Sequence, residues 1–316
     1  MHANHSNFPE CDDCRDNRLE KLENIRLRRP ASFRQATRAK QVAHLQEVHA
    51  ERSVASDLKR EASRNPKMVF GLSDKLGSRW NDLPMPADGR DSKKSSGRWK
   101  YRQGVQGNSY PGVGNFFSWV PPNLHTGNNF GVTSLCVSLH RLISQGKLTA
   151  GEYFALVSDG GSDNVGWITH AMNFVLVREG VFNTLDWLRL RPGHSHNEQD
   201  LAFSRAKAIF YPHGGIGPGC SSPMEYYHML TKGLREMPGG LEVLWQLANF
   251  DFSKYCESFF EGKTFAHHRK YRYWRYEYVH PPARLPRATA PATVPPPHST
   301  IPRPRARPSH TSPLHL

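Results

Sequence analysis

What this 316-residue chain lacks first is a long apolar run. No segment reaches the roughly 18 apolar residues that a membrane-spanning helix needs, and the opening residues, MHANHSNFPECDDC, hold no apolar signal core. Cysteine is scarce and odd in number: Cys11, Cys14, Cys136, Cys220 and Cys256 are scattered along the chain. That argues against a disulfide framework and for a reducing compartment. Apolar residues make up only 37% and mean hydropathy is -0.65, low for a chain this long, so part of it is expected to stay outside any packed core. Acid is short as well. With 42 Lys and Arg against 28 Asp and Glu the formal charge is +14, which favours a polyanionic partner, nucleic acid being the commonest. Basic solvated tails would give the same total. The expectation is a soluble, intracellular protein with no membrane partner.

Residues 1–35 read as polar and irregular, marked only by the pair Cys11-x2-Cys14. Such a pair is half of a structural zinc site, which His2 and His5 would complete, and unpaired surface thiols are the plainer alternative. Residues 36–65 read as a basic helix with a thin apolar stripe at Val42, Leu45 and Val48, its Arg and Lys either solvated or facing phosphates. Asn65-Pro66 breaks it. The core is expected over 66–215: a strand from Lys67 running into Gly71-Leu72-Ser73-Asp74, then strands at Trp99–Arg102 and Asn115–Val120. A helix follows over Asn128–Lys147, capped by Asn128 or Asn129, then a buried strand at Tyr153–Val157, a helix over Ile168–Val177, a strand over Phe182–Leu190 and a helix over Leu201–Tyr211. Three meander strands followed by alternating helices and strands predict an α/β fold with a mixed sheet covered on both faces.

Residues 216–280 form an extension with one or two helices around Leu230, Leu241, Leu244 and Trp245, then an aromatic strand. In that strand Lys270, Arg272, Tyr273, Trp274 and Arg275 interleave charge with rings. The pattern suits a half-exposed strand and equally a surface that stacks bases and pairs phosphates. Residues 281–316, rich in Pro and Arg and without an acid, are expected to be a disordered basic tail.

The chemistry concentrates between Glu152 and Pro212. In a sheet of this order ligands gather at the carboxyl ends of the strands. Asp159 ends the buried strand ahead of Gly160-Gly161, Asp200 opens the last helix, and Asp74 ends the first strand. Three converging carboxylates need cations between them, and hard oxygen ligands select Mg2+ or Mn2+. Two such ions suit attack on a phosphodiester. Turn formation explains Asp159 alone, and a helix-dipole role explains Asp200 alone. Asp163 and Asp186 read as solvated. His194-x-His196 also allows a zinc metallo-hydrolase, but that chemistry wants H-x-H-x-D-H, and Glu198-Gln199 stand where Asp-His should.

The strand order and acid placement resemble the ribonuclease-H-like fold of integrases and DDE transposases. More closely, LVSDGGSDN followed by RLRPGHSHNEQDLAFSRAK is similar to an uncharacterised transposon-derived eukaryotic domain with a D-G-x-x-x-N box and a G-H-T-H-x-x-x-D box, over roughly residues 10–280. Asp159 and Asn164 match the first box, and His194, His196 and Asp200 match the second. The resemblance implies a nuclear DNA-binding protein, DNA cleavage or strand transfer by Asp159, Asp200 and Asp74 with His194 and His196 in attendance, and assembly of several copies. Related sequences carry an acid followed by glycine on the first strand, where this chain has Gly71-Leu72. That departure makes a catalytically inactive nucleic-acid-binding protein of the same fold the alternative.

Overall fold

The computed structural model describes residues 11–75, 104–120, 127–149, 151–161, 166–191, 198–210, 222–235, 241–246, 248–260, 271–278 and 305–307. Two helices lead: α1 (Asp12–Arg26) and the 34-residue α2 (Ala31–Arg64). The sheet elements then run β1 (Met68–Lys75), β2 (Gly104–Tyr110), β3 (Gly114–Val120), α3 (Asn128–Ser144), β4 (Glu152–Asp159), α4 (Trp167–Arg178), β5 (Phe182–Leu190) and α5 (Glu198–Phe210). The extension adds α6 (Pro223–Arg235), β6 (Glu242–Trp245), α7 (Phe252–Phe260), β7 (Tyr273–Glu277) and β8 (Arg305–Arg307).

All eight strands join one mixed sheet in the order β6-β3-β2-β1-β4-β5-β7-β8. β1, β4 and β5 run parallel at its centre, and β2 is antiparallel to both β1 and β3. The α/β class and the mixed, two-sided sheet therefore stand as the sequence predicts. Strand alternation sorts the core into two faces. Met68, Phe70 and Leu72 of β1 pack with Ala155 and Val157 of β4, Leu188 and Leu190 of β5 and Leu58 of α2. On the same face, farther across the sheet, Val105, Phe117 and Trp119 meet Phe203 of α5 and Leu230 of α6. The opposite face, with Val69, Leu156 and Trp187, lies under α3 and α4. Each fully buried Leu or Phe is worth about 1.5–3 kcal/mol, so these layers, not helix propensity, fix where α3, α4 and α5 sit.

Several boundaries differ from expectation, each for a physical reason. Residues 1–35 contain α1, whose first turn holds Asp12 and Asp13 beside the positive end of the helix dipole. The second strand is β2, GVQGNSY, whereas Trp99–Arg102 lies outside the described residues. β2 is buried throughout although it reads as polar, because Ser73, Gln106, Asn108 and Ser134 bond to one another inside the sheet. Asn128 is the first residue of α3, not its cap; Gly127 takes the cap position without a side-chain bond. Leu241 to Trp245, expected in a helix, contributes β6, which pairs parallel with β3. In the basic tail Arg305–Arg307 forms β8 against β7, and the rest of 281–316 lies outside the described residues. No helix among the described residues is long and apolar enough to cross a membrane.

Candidate carboxylate site at the strand ends

β1 and β4 run parallel with Met68 opposite Tyr153 and Ser73 opposite Ser158. One step beyond stand Asp74 and Asp159, each ending its strand's apolar column. Alternation puts Asp74 on the face of Phe70 and Leu72, and Asp159 on the face of Ala155 and Val157, so the two acids share one face. Asp74 is 6% exposed. Asp159 turns its Oδ2 to accept the Gly161 N–H at 2.9 Å, and a Cβ at Gly161 would lie 2.9 Å from that same oxygen. The close approach therefore asks for glycine there.

The third acid belongs to α5, which docks on this face. Gly107 stands opposite Asp74 across the β1–β2 ladder and lies directly beneath the Gln199 amide, since a Cβ there would fall 1.8 Å from Gln199 Nε2. The Ser109 hydroxyl donates to Gln199 Oε1 at 2.6 Å, and Phe203 packs on Phe117 with ring centroids 5.2 Å apart. Lys59 of α2 pairs with Glu198 at the start of α5. Asp200 follows Gln199 in the first helical turn; its side chain, like His194, His196 and Asn164, lies outside the described residues. Sequence reasoning missed Gln199 and Ser109, whose spacing of 90 residues leaves no local signal.

Gly71 occupies the other face. A Cβ there would meet Phe154 Cε2 at 2.8 Å and Tyr110 Cε1 at 3.2 Å. An acid at 71 would thus point into aromatic packing, while Asp74, three residues on, aligns with Asp159.

Asp186 is neither solvated nor near this site. It is fully buried in mid-β5, where Arg275 grips it in two bonds, Nε to Oδ1 at 2.7 Å and Nη2 to Oδ2 at 2.8 Å, and the hydroxyls of Tyr153 and Tyr273 also donate to Oδ2. β7 delivers Arg275 and Tyr273, with Arg275 opposite Asp186 in register, and β4 on the other side delivers Tyr153. Burial, and then the carboxylate, pushes both tyrosine hydroxyls well above their ordinary pKa. Trp274 is buried with its Nε1 on the Tyr271 carbonyl, and Arg272 pairs with Glu51 at 3.2 Å. Burial raises the Glu51 carboxyl pKa, and Arg272 and the Arg191 N–H oppose it. Of the five residues named for nucleic acid, four therefore have internal partners, and Lys270 lies outside the described residues.

On the same face, past the end of β5, Cys11 and Cys14 meet His44 of α2, and the three ligand atoms lie within 4.8 Å of one another. His2 and His5 lie outside the described residues. Comparison of the chain with protein-family models, with curated proteins and with solved structures gives no match to any of them.

Proposed function

We propose that the chain is a ribonuclease-H-like, transposase-derived protein that cuts or joins DNA strands through Asp74, Asp159 and Asp200. The observation that carries this reading is the placement of Asp74 and Asp159 one register step beyond Ser73 and Ser158 on parallel neighbours, on the face where α5 docks. The meander β1-β2-β3 followed by alternating helices and strands, in one mixed sheet, supports this reading. A carboxylate-only set fits Mg2+ or Mn2+ rather than a softer ion. Bound there, a pair of such cations supplies Lewis-acid activation of the attacking and leaving oxygens of a phosphodiester.

The chain's own groups do the positioning. Asp74 and Asp159 are held by a rigid parallel ladder, and Gly161 fixes the Asp159 carboxylate. Gln199, clasped by Ser109, seats the first turn of α5. The positive total charge favours a polyanionic substrate over a small neutral one.

The test is nicking of supercoiled DNA by the full chain with Mg2+ or Mn2+. Asp74→Asn and Asp159→Asn should each lower the rate beyond the roughly 10–100-fold that loss of a group merely supporting a metal ligand brings, with DNA affinity unchanged. Wild-type protein that binds DNA with a steep salt dependence but never nicks it would sink the catalytic reading and leave the binding-only alternative.

A further inference from the structure

We propose that Cys11, Cys14 and His44 form a zinc site that clamps α1 onto α2. The site lies on α2, which covers the carboxylate face, but it uses none of Asp74, Asp159 and Asp200 and does not depend on what they do.

The thiols are organised by the backbone. Cys11 is the N-cap of α1, in an extended conformation at φ -64 and ψ 154, and its Sγ accepts the Cys14 N–H at 3.2 Å. That bond puts both sulfurs on one side of the first turn. His44, buried within α2, brings Nε2 to 3.3 Å from Cys11 Sγ. Tetrahedral zinc, with Zn–S near 2.3 Å and Zn–N near 2.0 Å, wants ligand atoms about 3.3–3.8 Å apart. The three ligand atoms already lie within 4.8 Å of one another, about an ångström from that spacing.

The far side of the imidazole is prepared as well. His44 Nδ1 lies 3.4 Å from Asp13 Oδ2, the carboxylate–histidine arrangement that orients metal-bound imidazoles. Arg191 Nη1 donates to the same Nδ1 at 2.9 Å and pairs with Asp13 at 3.3 Å, so the metal-free ring carries its proton on Nε2, facing Cys11 Sγ. Zinc on Nε2 moves that proton to Nδ1, which then donates to Asp13, and Arg191 Nη1 turns off Nδ1 while the guanidinium keeps Asp13, Glu47 and Glu51 as partners.

A second observation points the same way. α1 has almost no apolar anchor: Leu19, Leu22 and Ile25 are 51%, 54% and 57% exposed, and Asn24 is its one buried residue. What else ties it to α2 is polar, namely Asn24 to Thr37 and Glu20 to Lys40. A 15-residue helix without a buried apolar face is marginal in water, and a metal staple supplies what the core does not. Three protein ligands leave one tetrahedral position for a water or a fourth side chain.

The experiment uses the purified full chain. Metal analysis should find one zinc per chain, and Co2+ substitution should give the intense visible bands of a tetrahedral thiolate site. Cys14→Ser and His44→Gln should each lose the metal, whereas His44→Cys should keep it. Chelation should speed tryptic cleavage after Arg15, Arg18 and Lys21 by about tenfold or more, with protection of the sheet unchanged. Because a serine variant can misfold α1 for other reasons, the His44→Cys rescue and the cobalt spectrum carry the decision. Wild-type protein that takes up no zinc or cobalt, or metal retained equally by Cys14→Ser and His44→Gln, overturns the proposal.

Discussion

Two sets of carboxylates sit on the same face of one sheet and meet opposite fates. Asp186 lies opposite Ala155 of β4, and Asp159 lies four residues farther along that strand, about 13 Å away. Asp186 is surrounded by donors that neutralise it: one guanidinium in two bonds and two hydroxyls. Asp159 instead has a second acid, Asp74, on the neighbouring strand at the strand ends. A buried acid saturated by arginine and tyrosine holds β7 against β5. Two acids side by side repel each other and create a demand for cations. Local composition does not separate the two cases; what stands across the ladder does.

The largest expected effect comes from moving an acid to the wrong face. Gly71→Asp should cost about 4 kcal/mol in urea unfolding, because it forces an unpaired carboxylate between Phe154 and Tyr110, and it should restore no activity. Next, Asp186→Ala should cost about 3 kcal/mol, since it strands Arg275 and two hydroxyls, and proteolysis should then begin near β7. Tyr153→Phe, which removes one donor, should cost about 1 kcal/mol. The Asp186 cluster should also be sensitive to alkali. Unfolded tyrosines ionise near 10.0, whereas folded Tyr153 and Tyr273 hold their protons to higher pH. Their stabilisation is thus complete below pH 10 and shrinks as pH climbs past it, which urea midpoints at pH 9 and 11 will show; Tyr153→Phe with Tyr273→Phe will reduce the drop, and buried Tyr110 and Tyr276, shifted the same way, will keep the remainder. Smallest of all, Asp159→Asn should alter stability by less than about 1 kcal/mol in either direction, because it relieves repulsion as it removes a group. A loss at Asp159 as large as that at Asp186 would erase the distinction.

How much was legible follows from where each signal lives. β4 is a continuous apolar run and β5 alternates, so both declare themselves, and Asp159 falls at the end of the first. β2 hides because its inward groups are Gln106, Asn108 and Ser109, satisfied by residues 26 to 90 positions away. Gly71 read as a lost acid until alternation assigned it to the aromatic face. Asp186 read as solvated because Arg275, 89 residues later, is invisible from its own strand. The pair Cys11 and Cys14 was plain, and His44 was not, since nothing local marks a ligand 33 residues on and inside a helix.

The length of α2 has a mechanical side. Leu58 packs under β1, and Phe33 stands 25 residues away, about 37 Å along the axis. Between them the helix is tied down a second time: Arg191, just past β5, pairs with Glu47 and Glu51, and Arg272, just before β7, pairs with Glu51. α2 is therefore a beam on two supports, and only its first turns overhang them, carrying α1.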